Sequence, residues 1–552
     1  MPCYTREDFL REYKFPLQPV HDFEVLGSPA EYASGHPKEW GQENESFDFA
    51  DVIKGTAETA YSSYGSAISP DKKLLAISSK NERVLIYDVN TKELRQVLEG
   101  TGTIFFRPRP NRKQNARKDE DETADENEGP VYTLICNVPT ENRRRQSSVL
   151  VFWDLDQHGR LLDEEEPIDP AALAKQAIDA ILPDLETKHE WSRDFVTAST
   201  LHADFEKALG KAAADHRRRH NIILEKASLG GFGSTPFSSD GNLMLHRSEG
   251  ESRKQQKVTV YDIDAGREVY NLFGHTDSIM WMSFSPDDQH IATIAWDGTM
   301  RMYSAATGEL SWVENAGGQC WSGAFSPDSK HIIWSSKNGN SISVHAVEDG
   351  RLISKFSGTL QNWCRCFAWH PDGKEVAFCA SMSAWVWRPF EGPEGTIAQH
   401  LDLSKDNNWS MASIRSVSWL EHGRLLCVQI EEGTTLIYDT ITNAKELFKR
   451  PDGVVASWVD GSFYGVFEKE GEKDFYINVD GDGKVRYWRT SVAAYPSWWE
   501  KEKEKEESQP KKVFPETRKY VKVTKPVKQE EAPKDGGRDD WADKGARLWT
   551  AE

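Results

Sequence analysis

Cys364, Cys366 and Cys379 come nearest, by type and spacing, to residues that do chemistry in this chain. Alternation along a strand puts Cys364 and Cys366 on one face, and three thiolates on neighbouring strands would begin a zinc site. No fourth ligand is in view, and buried cysteines commonly serve as small core residues, so packing is the favoured reading. Asn478, Asp480, Asp482 and Gly483 imitate the opening of a calcium loop. The twelfth position would be Arg489, not a bidentate Glu, and the Asp-Gly pairs read as a hairpin turn instead. There is no GxxxxGK[ST] loop to cradle phosphates, no GxSxG nucleophile turn, no HExxH metal helix and no GxGxxG after a strand. The expectation is a protein with no catalytic residues, no cofactor and no metal.

The elements that position these residues repeat. Ser69-Pro70-Asp71 recurs as Ser285-Pro286-Asp287, Ser326-Pro327-Asp328 and His370-Pro371-Asp372. Pro286 to Pro327 is 41 positions and Pro327 to Pro371 is 44, the length of one four-stranded propeller blade of about 40 to 45 residues. Each motif follows a β-rich run ending in Ile68, Phe284, Phe325 or Trp369 and precedes an alternating run such as HIATIAW, so it is a turn between strands. About fifteen residues later comes a run ending in an aromatic and often an Asp, at Asp88, Asp154, Asp262 and Asp439.

On these motifs, with Gly274-His275, Ser285-Pro286-Asp287 and Trp153-Asp154 among them, the sequence resembles the WD-repeat β-propeller family over roughly Phe47 to Arg489. The resemblance implies an all-β fold with seven or eight blades. Repeat-like units begin near Tyr64, Gly102, Ser228, Ile279, Gln319, Trp363, Ile414 and Gly453, the last being hardest to phase. It also implies a hydrogen-bond relay within a blade, which His275, Thr293 and Asp297 match and in which Tyr303 replaces the family's Trp. Ring closure is expected from Phe47 to Gly55 pairing with Lys484 to Arg489, which would remove an exposed edge.

Residues 1–46 read as an N-terminal extension and 47–495 as the propeller. Pro70 and the equivalent Ser239 are 169 positions apart, about twice what two blades need. Two insertions in the second unit account for the surplus. Residues 109–129, basic and then acidic, form an expected disordered loop. Residues 164–220 are helical by pattern, with Pro170 at a first helical position and Leu173, Ala177 and Ile181, then Leu201, Phe205 and Leu209, at helical spacing. Self-packing of the two apolar faces is favoured there.

Arg217, Arg218 and Arg219 end that insertion, and Arg143, Arg144 and Arg145 lie in a hairpin of the same unit. Together they are a possible basic patch for phosphate or RNA, although cations near a helix C-terminus also complement its dipole, which is favoured. Residues 496–552 lack core-forming residues and read as a charged, mostly disordered tail in which Trp541 and Trp549 make a candidate linear docking motif.

A net charge of −20 disfavours polyanionic partners at long range. Seven cysteines without a paired framework suit a reducing compartment. The opening MPCYTREDFLREYKF is charged where a signal peptide needs an apolar core, and no segment approaches 18 uncharged apolar residues, so a cytoplasmic or nuclear protein, neither secreted nor membrane-spanning, is expected.

Twenty tryptophans either fill sheet cores or anchor partners. Stacked repeats place the residues that open each inner strand on one rim, and alignment puts Tyr64, Met280, Trp321, Arg365 and Arg415 at one position with Trp281 and Trp363 beside it. These are the candidate partner-binding residues, with packing between blades an equal alternative. The function expected is a non-catalytic protein-interaction scaffold within a larger complex. An RNA-associated assembly factor using the basic patches is the alternative, and a propeller hydrolase with channel-mouth carboxylates or metal is a third, disfavoured reading.

Overall fold

The computed structural model describes residues 24–25, 39–40, 43–49, 65–78, 82–108, 131–139, 148–162, 223–231, 233–249, 256–360, 362–402, 413–420, 423–430, 435–439, 445–448, 462–466, 475–479 and 483–489. All of them belong to the unit Met1–Val513 rather than to Phe514–Glu552. Tyr64, the 109–129 loop, Arg143, Arg144, Arg145, the 164–220 insertion with Arg217, Arg218 and Arg219, and the 496–552 tail with Trp541 and Trp549 lie outside the described residues.

The described residues form eight sheets, each led by four strands in antiparallel order, which makes this an eight-bladed β-propeller. Blade 1 runs Gly65–Ile68, Leu74–Ser78, Arg83–Asp88 and Leu94–Glu99, and blade 2 runs Thr101–Phe106, Tyr132–Pro139, Ser148–Leu155 and Ile223–Glu225. Blade 3 comprises Ala227–Ser228, Leu243–Glu249, Gln256–Asp262 and Arg267–His275; blade 4 comprises Ile279–Phe284, His290–Ala295, Thr299–Ser304 and Leu310–Asn315. Gly323–Phe325, His331–Ser336, Ser341–Ala346 and Leu352–Lys355 make blade 5. Blade 6 is Cys364–Trp369, Val376–Ala380, Ser383–Arg388 and Thr396–Asp402, and blade 7 is Ile414–Leu420, Leu425–Ile430, Thr435–Asp439 and Lys445–Phe448. Blade 8 takes three strands from the C-terminal side, Ser462–Val466, Phe475–Val479 and Lys484–Arg489, and its fourth, Glu43–Asp48, from the N-terminal side.

That fourth strand closes the ring as expected, but it occupies Glu43–Asp48 and so overlaps the expected segment only at Phe47 and Asp48. The last blade opens at Ser462, nine positions beyond the Gly453 expected for it. The chain also adds a fifth strand to two blades: Glu24–Val25 pairs antiparallel with the outer strand of blade 6 and Glu39–Trp40 pairs parallel with that of blade 7.

Both faces of a blade are covered by neighbours, so its middle strands are apolar runs rather than alternating ones. Leu74–Ser78 is buried at every position, whereas every position of the outer strand Leu310–Asn315 is exposed or half-buried. Core clusters therefore sit in the seams. Leu74, Ile86, Leu134 and Trp153 fill the one between blades 1 and 2, and Phe49, Leu75, Tyr87, Ile477 and Tyr487 fill the one that closes the ring. Indoles add polar links across seams: Trp369 Nε1 donates to Ala324 O at 3.1 Å and Trp419 Nε1 to Ala368 O at 3.0 Å.

The repeated Ser-Pro-Asp segment is a turn with a local cause. Ser285 Oγ donates to Asp287 Oδ1 at 2.6 Å and accepts His290 N at 2.9 Å, while Ser326 Oγ does the same with Asp328 and His331 at 2.6 and 3.0 Å. The residue after the Asp then turns left-handed, with φ of 60° at Lys72, 56° at Asp288 and 62° at Ser329, as a type I turn closing a hairpin requires. Successive turns are stitched together, because Ser239 N donates to Asp288 Oδ1 at 2.8 Å and Asp287 N to Ser329 Oγ at 3.0 Å. Among the described residues no helix is long and apolar enough to cross a membrane.

Candidate functional site: an aromatic rim over blades 4 to 6

Inner strands begin on the side of the ring opposite the stitched Ser-Pro-Asp turns, and there three tryptophans from consecutive blades meet. Trp296 stands in the tight turn after the second strand of blade 4, where its backbone N–H donates to Ser278 O at 3.0 Å. Trp321 precedes the inner strand of blade 5 and Trp363 precedes that of blade 6. The Trp296 and Trp321 rings meet edge to face, with centroids 5.2 Å apart and planes at 64°. Trp321 and Trp363 stack at 4.7 Å and 13°. Trp321, in the middle, is 4% exposed, while its two neighbours are half-buried.

Backbone geometry holds this row. Cys364 N donates to Gly339 O at 3.1 Å, fastening the start of blade 6 to the turn of blade 5. Gly339 adopts φ 75°, and a Cβ there would lie 2.9 Å from Trp363 Cα, so a glycine is needed on both counts. Gln319 N donates to Asn338 Oδ1 at 2.9 Å, which ties the segment before Trp321 to the same turn.

A second fixed point lies beside Trp296. His275 Nδ1 is 2.8 Å from Asp297 Oδ2 and its Nε2 is 2.8 Å from Thr293 Oγ1, so the relay inferred from the resemblance is formed. Tyr303, at the Trp position, donates its hydroxyl to Phe273 O at 2.9 Å. Burial acts to raise the Asp297 carboxyl, but hydrogen bonds from His275, Thr299 and the Thr276 N–H outweigh it and bring the pKa down to about 2. The relay thereby locks the turn that carries Trp296.

The expected rim residues divide. Met280 and Arg415 are half-buried and Trp363 joins the row, whereas Trp281 is 1% exposed and packs on Phe325 in the core between blades 4 and 5. Trp281 is thus a packing residue. Arg365 lies on the inner strand of blade 6, with its side chain outside the described set. Trp296 was missed; its signal was the Trp296-Asp297-Gly298 turn one position ahead of the relay aspartate. Among the described residues no group of three or more His, Cys, Asp and Glu is arranged to hold a metal ion. Asn478 is buried on the second strand of blade 8, facing Arg486 across the strand pair, while Asp480 and Asp482 lie outside the described residues.

Comparison with known proteins matches residues 266–304 to the family model "WD domain, G-beta repeat". Coronin-7 of Homo sapiens is 34% identical over 77 residues, which is 14% of this chain and 8% of that protein. Coronin-7 of Rattus norvegicus is 30% identical over 82 residues, 15% of this chain and 8% of that protein. An uncharacterized WD repeat-containing protein of Synechocystis, sll1491, is 26% identical over 137 residues, 23% of this chain and 37% of that protein. The matched stretches thus span less than a tenth of either Coronin-7 and little over a third of the cyanobacterial protein. Residues 266–304 begin in the outer strand of blade 3 and end in the third strand of blade 4, so the matched repeat is the unit that the ring iterates. The chain is an eight-bladed β-propeller carrying a repeat, residues 266–304, that matches the WD domain, G-beta repeat family model.

Proposed function

We propose that this propeller is a non-catalytic protein-interaction scaffold within a larger intracellular assembly, in the cytoplasm, the nucleus or both, and that it docks a partner protein on the rim of blades 4 to 6. The row of Trp296, Trp321 and Trp363 carries this reading. Indoles held in place by their own stacking lose little freedom on binding and bury a large area, which is why tryptophan anchors interfaces. Half-exposed Met280 lies on the inner strand of the same blade as Trp296 and offers an adaptable apolar contact. The net charge of −20 favours a neutral or basic protein over a nucleic acid.

The test is affinity purification of the full chain followed by mass spectrometry, with Trp363→Ala and, as a control, Leu352→Ser on the outer strand of blade 5. A partner set that Trp363→Ala loses and Leu352→Ser keeps supports the rim. Identical sets from both variants and the unaltered chain overturn it.

A further inference from the structure

Of the six described cysteines, Cys366 and Cys379 alone are set opposite each other by strand register, in the first two strands of blade 6. Cys136 faces Ile104 and Val151, Cys364 faces Ala380, Cys427 faces Ser418 and Ile437, and Cys320 lies outside the strands. Directly opposed antiparallel residues hold their Cα atoms about 4.5–5.5 Å apart, inside the roughly 4.4–6.8 Å that a disulfide spans. The two side chains are close enough for each to shift the other's titration. Cys366 is half-buried and Cys379 is buried, so Cys366 is the less enclosed of the two residues.

We propose that Cys366 and Cys379 are a peroxide-oxidisable dithiol, in which Cys366 is the attacking sulfur and Cys379 resolves it to a cross-strand disulfide. The Cys366 thiolate attacks one oxygen of hydrogen peroxide: an S–O bond forms, the O–O bond breaks, and the departing hydroxide takes up a proton to leave as water. Cys366 is then a sulfenic acid. The Cys379 sulfur displaces its hydroxyl, an S–S bond replaces the S–O bond, and the hydroxyl leaves as a second water with the Cys379 proton. One peroxide is reduced and two thiols are oxidised.

The environment suits these roles. The neighbouring Cys379 side chain holds Cys366 below the ordinary thiol range, and Cys366 in turn, with burial, pushes Cys379 up. Arg415, from the first strand of blade 7, places positive charge near Cys379. The reduced Cys366 thiol also donates to Val417 O of blade 7 at 3.4 Å. A disulfide sulfur has no proton to donate, so oxidation removes that link across the seam between blades 6 and 7.

The experiment treats the folded full chain with hydrogen peroxide, quenches it, denatures it, alkylates remaining thiols and maps the peptides by mass spectrometry. The expected result is a linked Cys366–Cys379 peptide with alkylation lost at those two positions and retained at Cys136, whose thiol burial pushes up to about 12. In Cys379→Ser the sulfenic acid on Cys366 is trapped by dimedone, and in Cys366→Ser no adduct forms on Cys379. Alkylation of Cys366 and Cys379 equal to that of Cys136 in the oxidised unaltered chain overturns the proposal, whatever the variants do, as does an adduct on Cys379 in Cys366→Ser.

Discussion

Trp321 and Trp363 stack face to face at 4.7 Å although they belong to different blades, and only Trp363 remains partly exposed. The two rings therefore have separable roles. Trp321→Ala opens a cavity beneath the rim and is expected to destabilise the protein by about 3–5 kcal/mol. Trp363→Ala removes a stacking partner and exposed area, for about 0.5–1.5 kcal/mol. Urea midpoints of the two variants check this order. Partner capture is expected to fall in Trp363→Ala while the protein remains folded.

The His275–Asp297 contact predicts an acid response with a definite sign. The Asp297 carboxyl sits at about 2 in the folded chain against 3.8 for an ordinary Asp, so its contribution is fully present above about pH 4 and is lost as pH falls toward 2. The shift corresponds to about 2 kcal/mol. Asp297→Asn is expected to cost about that much near neutral pH, and the difference from the unaltered chain should shrink as pH drops through that window. Urea midpoints of both proteins measured at several pH values test this; a difference that stays constant with pH rules the linkage out.

Gly339→Ala tests how the rim is held. The new Cβ meets Trp363 Cα at 2.9 Å, a backbone neighbour with nowhere to rotate, and φ of 75° adds strain for any side chain. A loss of about 1–3 kcal/mol is expected. Intrinsic tryptophan fluorescence should also change, since Trp363 must shift against Trp321. Gly317→Ala in the neighbouring loop has open space around its Cβ but φ of 71°, so it carries the strain without the clash. It is expected to cost less and leave the fluorescence unchanged.

The parts of this fold that were legible from sequence are those with a local cause. Ser285-Pro286-Asp287 marks its turn because Ser285 Oγ satisfies the turn from within five residues. Blade 8 was mis-phased because Ser462–Val466 is followed by no such motif. The closing strand was placed too late because ENESFD, with Glu43 and Glu45, lacks the apolar look of a strand, yet an outermost strand tolerates charge. Glu24–Val25 and Glu39–Trp40 are two residues each, too short to show a period. Trp296 escaped notice because its contact with Trp321 joins two blades, and no spacing within one repeat reports on a seam.

Closure by Glu43–Asp48 gives the last prediction, because it makes the ring's integrity depend on a segment remote in sequence from its partner, Lys484–Arg489. Deleting residues 1–49 removes that strand and Phe49, which is fully buried in the seam between blades 8 and 1. Burial of Phe49 alone stabilises by about 1.5–3 kcal/mol, and the lost strand also exposes the edge of Lys484–Arg489 and takes half-buried Phe47 away from Tyr87 and Tyr487. Deleting residues 1–41 leaves Glu43–Asp48 in place and, among the described residues, removes only the two-residue additions to blades 6 and 7. The longer deletion is therefore expected to lower the thermal midpoint far more than the shorter one and to make blade 8 the first site of limited proteolysis. Equal midpoints for the two deletions would show that the ring closes without its N-terminal strand. Phe49→Ala separates the two contributions, since it empties the seam while keeping the strand pairing, and its midpoint should fall between those of the two deletions.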